Sequence, residues 1–189
     1  MTLVAERWFW WLFLLLCAGV TGYAFMAYGT RPVIDQVHPA MIEVYRTYPV
    51  GIYGHIFPSA IALLIGPLQF SSRLRRHSPA FHRWTGRVYL GLGVLPGGLA
   101  GLFMAGHAFG GIVSQLGFGL LAVLWLGTGW AAWRAIRRGD VAAHRHWMTT
   151  NFALTFAAVT LRIYLGLFAA TGMSFESYYP VLAWICLLY

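Results

Sequence analysis

RRHSPAFHR (Arg75–Arg83) and RRGDVAAHR (Arg137–Arg145) share the pattern Arg-Arg-x-[Ser/Asp]-x-x-x-His-Arg in a chain of 189 residues of which only 10% are charged. The two copies start 62 residues apart. In the first, Ser78 stands where a side chain can cap a helix whose first residue is Pro79, a position at which proline gives up no hydrogen bond. In the second, Gly139 ends one helix and Asp140 caps the next. Both copies are helix starts, each following one long apolar run and opening another. Helices two and three thus form one hairpin and helices four and five a second, a parallel repeat about an axis along the membrane normal.

The apolar runs identify the environment. Hydrophobic residues make up 59% of the chain and the mean hydropathy is +0.66, far from the usage of a soluble domain. A hydrocarbon core about 30 Å thick needs about 20 apolar residues per helix, and five stretches qualify: 8–29, 51–70, 79–104, 111–134 and 141–170. A sixth, 178–189, reaches only about 18 Å at 1.5 Å per residue, too short to cross, so it is half-inserted or cut short. The expected fold is all-α, a polytopic bundle of about six transmembrane helices in one integral membrane domain, with helices two to five as a four-helix core. The first run follows Arg7, as in a signal peptide, but it is longer than a usual h-region and no clean small-x-small site follows, so it reads as a retained helix.

All thirteen basic residues are arginine, for a formal charge of +8. They fall in short clusters between apolar runs, which is the pattern of membrane loops and argues against a nucleic-acid partner. Arg7, the groups Arg73–Arg87 and Arg134–Arg145 lie on one side, against Arg31 and Arg46 on the other, so the positive-inside rule makes the amino terminus cytoplasmic. Cys17 and Cys186 sit in apolar segments as small hydrophobes and imply no disulfide framework. Phosphate-binding glycine loops, Cys-x-x-Cys-His, His-Glu-x-x-His and nucleophile elbows are all missing, so any activity belongs to a cofactor or to intramembrane polar residues.

Histidines mark both ends of the expected bundle. His82 and His144 stand on the first turns of helices three and five, which the repeat places across the bundle axis; His146 is the alternative to His144, because it leads a stripe with Thr150, Ala153, Ala157 and Thr160, beside a second stripe of Asn151, Thr155, Ala158 and Arg162. His55, in helix two, and His107, in the loop leading to helix four, make a second pair at the other end. His55, Ser59, Ala62, Gly66 and Gln69 recur at helical spacing as a small, polar, inward stripe. Gly93, Gly97 and Gly101 on helix three read either as tight helix packing or as a smooth face for a flat cofactor. Arg162, about 12 Å below its helix end, is costly in hydrocarbon. Asp35, Glu43, Glu176 or an anionic ligand is its expected partner, with snorkelling as the other reading.

Tyr53-Gly54-His55, Gly66-Pro67-Leu68-Gln69-Phe70, His82-Arg83-x-x-Gly86-Arg87-x-Tyr89, His144-Arg145-x-Trp147-Met148 and Ala153 through Arg162 together resemble a bacterial family of predicted membrane proteins catalogued as domain of unknown function 2306. The resemblance spans roughly Tyr53 to Leu165 and implies a multi-pass protein of the bacterial inner membrane. That family tends to carry an arginine near Thr150 and to continue past a last tryptophan-rich helix, and this chain does neither. The architecture is also similar to transmembrane di-haem b-type cytochromes. That similarity implies haem b held by His55 with His107 and His82 with His144 as iron ligands, Arg162 on a propionate or anionic quinone, and a small anionic electron donor at the arginines. Two further readings stand beside this membrane oxidoreductase. One is a small transporter or ligand-binding protein with a polar cavity around Arg162, in which a chain this short has room for alternating access only as a homodimer; the other is a structural membrane protein contacting the lipid bilayer alone.

Overall fold

In lipid every backbone polar group must be satisfied within the chain, and a run of apolar residues meets that demand by closing into a helix. The computed structural model describes residues 3–187, with side chains described from Trp8 onward. Leu188 and Tyr189, the end of the expected sixth helix, and the side chain of Arg7 lie outside the described residues. The helices are α1 (Leu3–Thr30), α2 (Ile42–Thr47), α3 (Pro49–Phe70), α4 (Ser72–His77), α5 (Pro79–Val88), α6 (Leu95–Ala105), α7 (Gly111–Arg137), α8 (Val141–Ala170) and α9 (Phe175–Ile185). A π-helical stretch, Tyr89–Val94, joins α5 to α6, so one rod runs from Pro79 to Ala105. Pro96 lacks the N–H that would bond the Leu92 carbonyl, and the turns before it widen.

Five rods are long and apolar enough to cross a membrane: Trp8–Thr30, Pro49–Phe70, Pro79–Ala105, Gly111–Arg137 and Val141–Ala170. α9 has 11 residues, about 16 Å of rise, and lies against α7 and α8. The core is a ring in which α3 packs on the α5–α6 rod, α6 on α7, α7 on α8 and α8 back on α3. α1 lies outside this ring, against α3 and α8. Its outward face is apolar and bare, with Trp8, Leu15 and Met26 about 70% exposed, as a lipid-facing helix requires.

The two copies of the arginine motif end differently. Gly139 takes φ 78°, and Asp140 Oδ1 accepts from the Ala143 N–H at 2.9 Å, capping α8 as the sequence implies. Ser78 precedes Pro79 but makes no capping bond through its side chain. Instead the arginine run forms its own short helix, α4, and Ser71 Oγ caps it by accepting from the Leu74 N–H at 3.1 Å. Ser78 is the bend between α4 and α5.

The stretch from Thr30 to Val50, expected as a loop, is folded. Two 3-10 turns (Val33–Asp35 and Pro39–Met41) and α2 form a strap across one end of the bundle. Apolar burial holds it there: Val33 is buried and its N–H donates to the Tyr53 hydroxyl at 2.9 Å, while Met41 packs on Tyr178, Tyr179 and Leu182. We call this the strap end and the opposite one the arginine-rich end.

The glycine stripe serves helix packing. A Cβ at Gly93 would lie 2.8 Å from that of Ala62, one at Gly97 2.8 Å from Ser59 Oγ, and one at Gly101 2.6 Å from His55 Nδ1. The glycines let the α5–α6 rod close on α3. Gly91, two residues earlier, faces open space. Gly93→Ala is therefore expected to destabilise the protein by about 1–3 kcal/mol through overpacking against the α3 backbone, lowering its melting temperature in detergent, whereas Gly91→Ala leaves that temperature unchanged or higher.

Candidate functional site

Midway along the bundle the polar side chains find one another. The Tyr89 hydroxyl donates to Asn151 Oδ1 at 2.7 Å and also meets Thr155 Oγ1 at 2.7 Å; Thr155 Oγ1 in turn accepts from Trp125 Nε1 at 2.8 Å. Asn151 Nδ2 donates to the Trp125 carbonyl at 2.6 Å and to Thr128 Oγ1 at 2.8 Å. Tyr89 and Asn151 are fully buried, and Phe152 fills the notch left by Gly66. The inward face of α8 is thus the stripe of Asn151, Thr155, Ala158 and Arg162. The neighbouring stripe is interior only in part: its His146 and Ala153 are exposed, while its Ala157 is buried.

Above this knot, toward the strap, opens a cavity of about 910 Å³. Trp125 and Thr155 form its floor, α3 supplies His55 and Ser59, and the strap supplies Tyr45. Its volume lies in the usual range for small-molecule sites. His55 Nδ1 donates to the Gly97 carbonyl at 2.8 Å, because a carbonyl can only accept; the neutral ring then keeps a lone pair on Nε2. One turn deeper, Ser59 Oγ is buried without a hydrogen-bond partner.

Arg162 enters this cavity from α8. One of its N–H groups donates to the Ala158 carbonyl at 2.8 Å, and its guanidinium lies over the Tyr23 ring at 6.0 Å. Its charge reaches Tyr28, Tyr45 and His55. No aspartate or glutamate lines the cavity among the described residues. The acidic partners expected from sequence do not meet it, because Asp35, Glu43 and Glu176 are all exposed. Burial pushes the Tyr45 phenol above its ordinary value, outweighing the opposing effect of Arg162, and so keeps it a neutral O–H donor.

The histidines expected as a strap-end pair both line the cavity, but in unlike settings. His107 stands in the turn after α6, its ring tilted 46° against that of Tyr48 with centroids 4.2 Å apart and its Nδ1 bonded to the Phe103 carbonyl. The 62-residue repeat does not relate it to His55, whose counterpart is Gly117, closed off by Ala183 of α9. At the arginine-rich end, His144 reaches across to α7, its Nδ1 donating to the Ala132 carbonyl at 2.9 Å. His82 lies within the electrostatic reach of His144, Arg75 and Arg83, and its Nδ1 is buried with no partner. His146 points away, its ring against Trp147. Among the described residues no group of three or more His, Cys, Asp or Glu is arranged to hold a metal ion.

Sequence reasoning named His55, Ser59, Asn151, Thr155 and Arg162 by periodicity. It missed Tyr23, Tyr28, Tyr45 and Trp125, whose aromatic character is shared with so many lipid-facing neighbours that spacing alone cannot separate them. Tyr89 carried a signal, its place in the arginine-histidine motif, but no reading of its role.

A helical ring with membrane-length rods and a polar centre defines a polytopic helical membrane protein. Residues 52–189 match the family described as "Predicted membrane protein (DUF2306)", and the chain belongs to that family. No curated protein and no solved structure matches it. Asn151→Ala is expected to lower stability by about 1–3 kcal/mol by stranding its buried partners, seen as an earlier thermal transition in detergent; Thr150→Ala, one residue away on the partly exposed face, leaves the transition in place.

Proposed function

We propose that the protein binds a small anionic ligand in the strap-end cavity, with Arg162 as the anchoring cation. One observation carries this reading: a half-buried guanidinium stands in the wall of a largely apolar cavity that no acid lines among the described residues. A cation so placed is costly, and that cost is recovered when an anion pairs with it away from water. The test is equilibrium binding to protein in lipid nanodiscs, with benzoate, benzyl alcohol and benzylammonium as probes. Benzoate is expected to bind at least tenfold tighter than the other two, and Arg162→Gln to remove that preference. Equal binding of benzoate and benzylammonium, or an unchanged preference in the variant, overturns the reading.

A second reading, a haem b electron carrier, is favoured by a separate observation at the arginine-rich end. His144 has its Nδ1 proton fixed on a carbonyl, which leaves the Nε2 lone pair free to bind a metal, and His82 stands in its neighbourhood with a buried, unpartnered nitrogen. On this reading His82 and His144 hold the group, Arg75 and Arg83 attract its acidic substituents, and the haem when bound supplies one-electron chemistry. Protein purified from cells given haem precursor then shows a reduced-minus-oxidised spectrum that His144→Ala abolishes and His146→Ala leaves intact. A colourless preparation removes this reading and leaves the first untouched.

A further inference from the structure

The cavity's polar and apolar parts are separated along its depth. On α8, Arg162 lies seven residues above Thr155, about 10 Å at 1.5 Å per residue. Thr155 is tied to Trp125 at 2.8 Å, and that bond closes the floor. Between the two levels the walls are small and mostly apolar: Ala122 from α7 and Ala157 and Ala158 from α8, with the Ser59 hydroxyl on the α3 side. Around Arg162 stand hydrogen-bonding groups: the phenols of Tyr28 and Tyr45 feel its charge, and His55 faces it from α3. The upper level suits a charged head and the lower level an apolar body.

Resting on the assignment of Arg162 as an anion anchor, we propose that the ligand is a monoanionic carboxylate amphiphile, its carboxylate on the Arg162 fork and its unbranched apolar chain running down to the Trp125–Thr155 floor. A carboxylate matches two parallel guanidinium N–H groups, and one N–H already spent on Ala158 leaves donors on the fork for it. A single cation in the lining balances one negative charge; a dianionic phosphate would bury its second charge unpaired. The neutral phenol of Tyr45 donates to the same head. An extended chain advances roughly 1.2 Å per bond, a third of the 3.3–3.6 Å of a three-bond peptide residue, so with the fork drawn down onto the Ala158 carbonyl, the space within the roughly 10 Å between the two backbone levels takes at most about eight carbons.

The experiment measures affinities of butyrate, hexanoate, octanoate, decanoate and dodecanoate for the whole protein in nanodiscs, with empty nanodiscs subtracted. Each added methylene is expected to tighten binding about fourfold as far as octanoate and to add little beyond decanoate, where the floor is reached. Ala122→Leu, which intrudes on the lower level, moves the break to shorter chains and weakens octanoate binding more than butyrate binding. If butyrate and octanoate bind alike and Arg162→Gln abolishes both, the amphiphile proposal is overturned and the anion site stands. If affinity climbs evenly through dodecanoate, the floor is not where the chain ends and the proposal likewise fails. If none of the series binds and benzoate does not either, both assignments fall together.

Discussion

Everything in the bundle is arranged around the cost of putting polar groups where no water can reach them. Tyr89, Asn151, Thr155, Trp125 and Thr128 come from three separate rods, and each satisfies the others' hydrogen-bonding capacity. Interhelical hydrogen bonds of this kind are individually modest in membranes, often under about 1 kcal/mol. Their value here is geometric: five groups that must all be satisfied leave one rotational setting for each rod. Glycine and alanine then bring the backbones close enough for that setting to be reached, with Gly66 receiving Phe152 and Gly93 meeting Ala62.

Once those rods are locked, the space above the knot follows. The floor cannot rise, because Trp125 is held by Thr155 and Asn151 cannot move without breaking its bonds to α7. The top is set by the strap, whose Val33 and Met41 are anchored in separate apolar clusters. A cavity results between two independently fixed boundaries, and Arg162 is placed in its wall by the same helical stripe that carries Asn151 and Thr155. Stability and recognition thus use one face of α8 at two depths.

The sequence made the fold legible because the bilayer imposes long, uninterrupted apolar runs, and the arginine clusters with Gly139 and Asp140 punctuate them. Interior stripes were legible on α3, where His55, Ser59, Ala62, Gly66 and Gln69 contrast with their apolar neighbours. On α8 two polar stripes lay side by side, and choosing between them required knowing which one α7 faces. Ser78 looked like a cap because serine before proline is a helix-start pattern; in the fold Arg73, Arg75 and Arg76 form α4, capped by Ser71, and Ser78 is the bend into α5, which starts without a side-chain cap. The π-helical stretch left no pattern that separates it from an α-helix, since glycine and leucine serve both. The strap was unreadable for a different reason: Val33 and Met41 are single apolar residues whose burial depends on partners as distant as Tyr178 and Leu182.

The 62-residue spacing of the arginine motif extends into the knot. Adding the 62-residue offset to Tyr89 gives Asn151, and adding it to His82 gives His144; the first pair is hydrogen-bonded and the second lies in mutual electrostatic reach. Positions 82/144 and 89/151 thus bring the α5–α6 rod and α8 together from the arginine-rich end to mid-membrane. Nearer the strap the halves diverge, because Gly117 is covered by α9 where its counterpart His55 faces open space. Closing one side with α9 leaves an asymmetric cavity in which Arg162 is the one guanidinium among the described lining residues and His38, His55 and His107 stand at different points of the wall, a shape able to hold one ligand in one orientation.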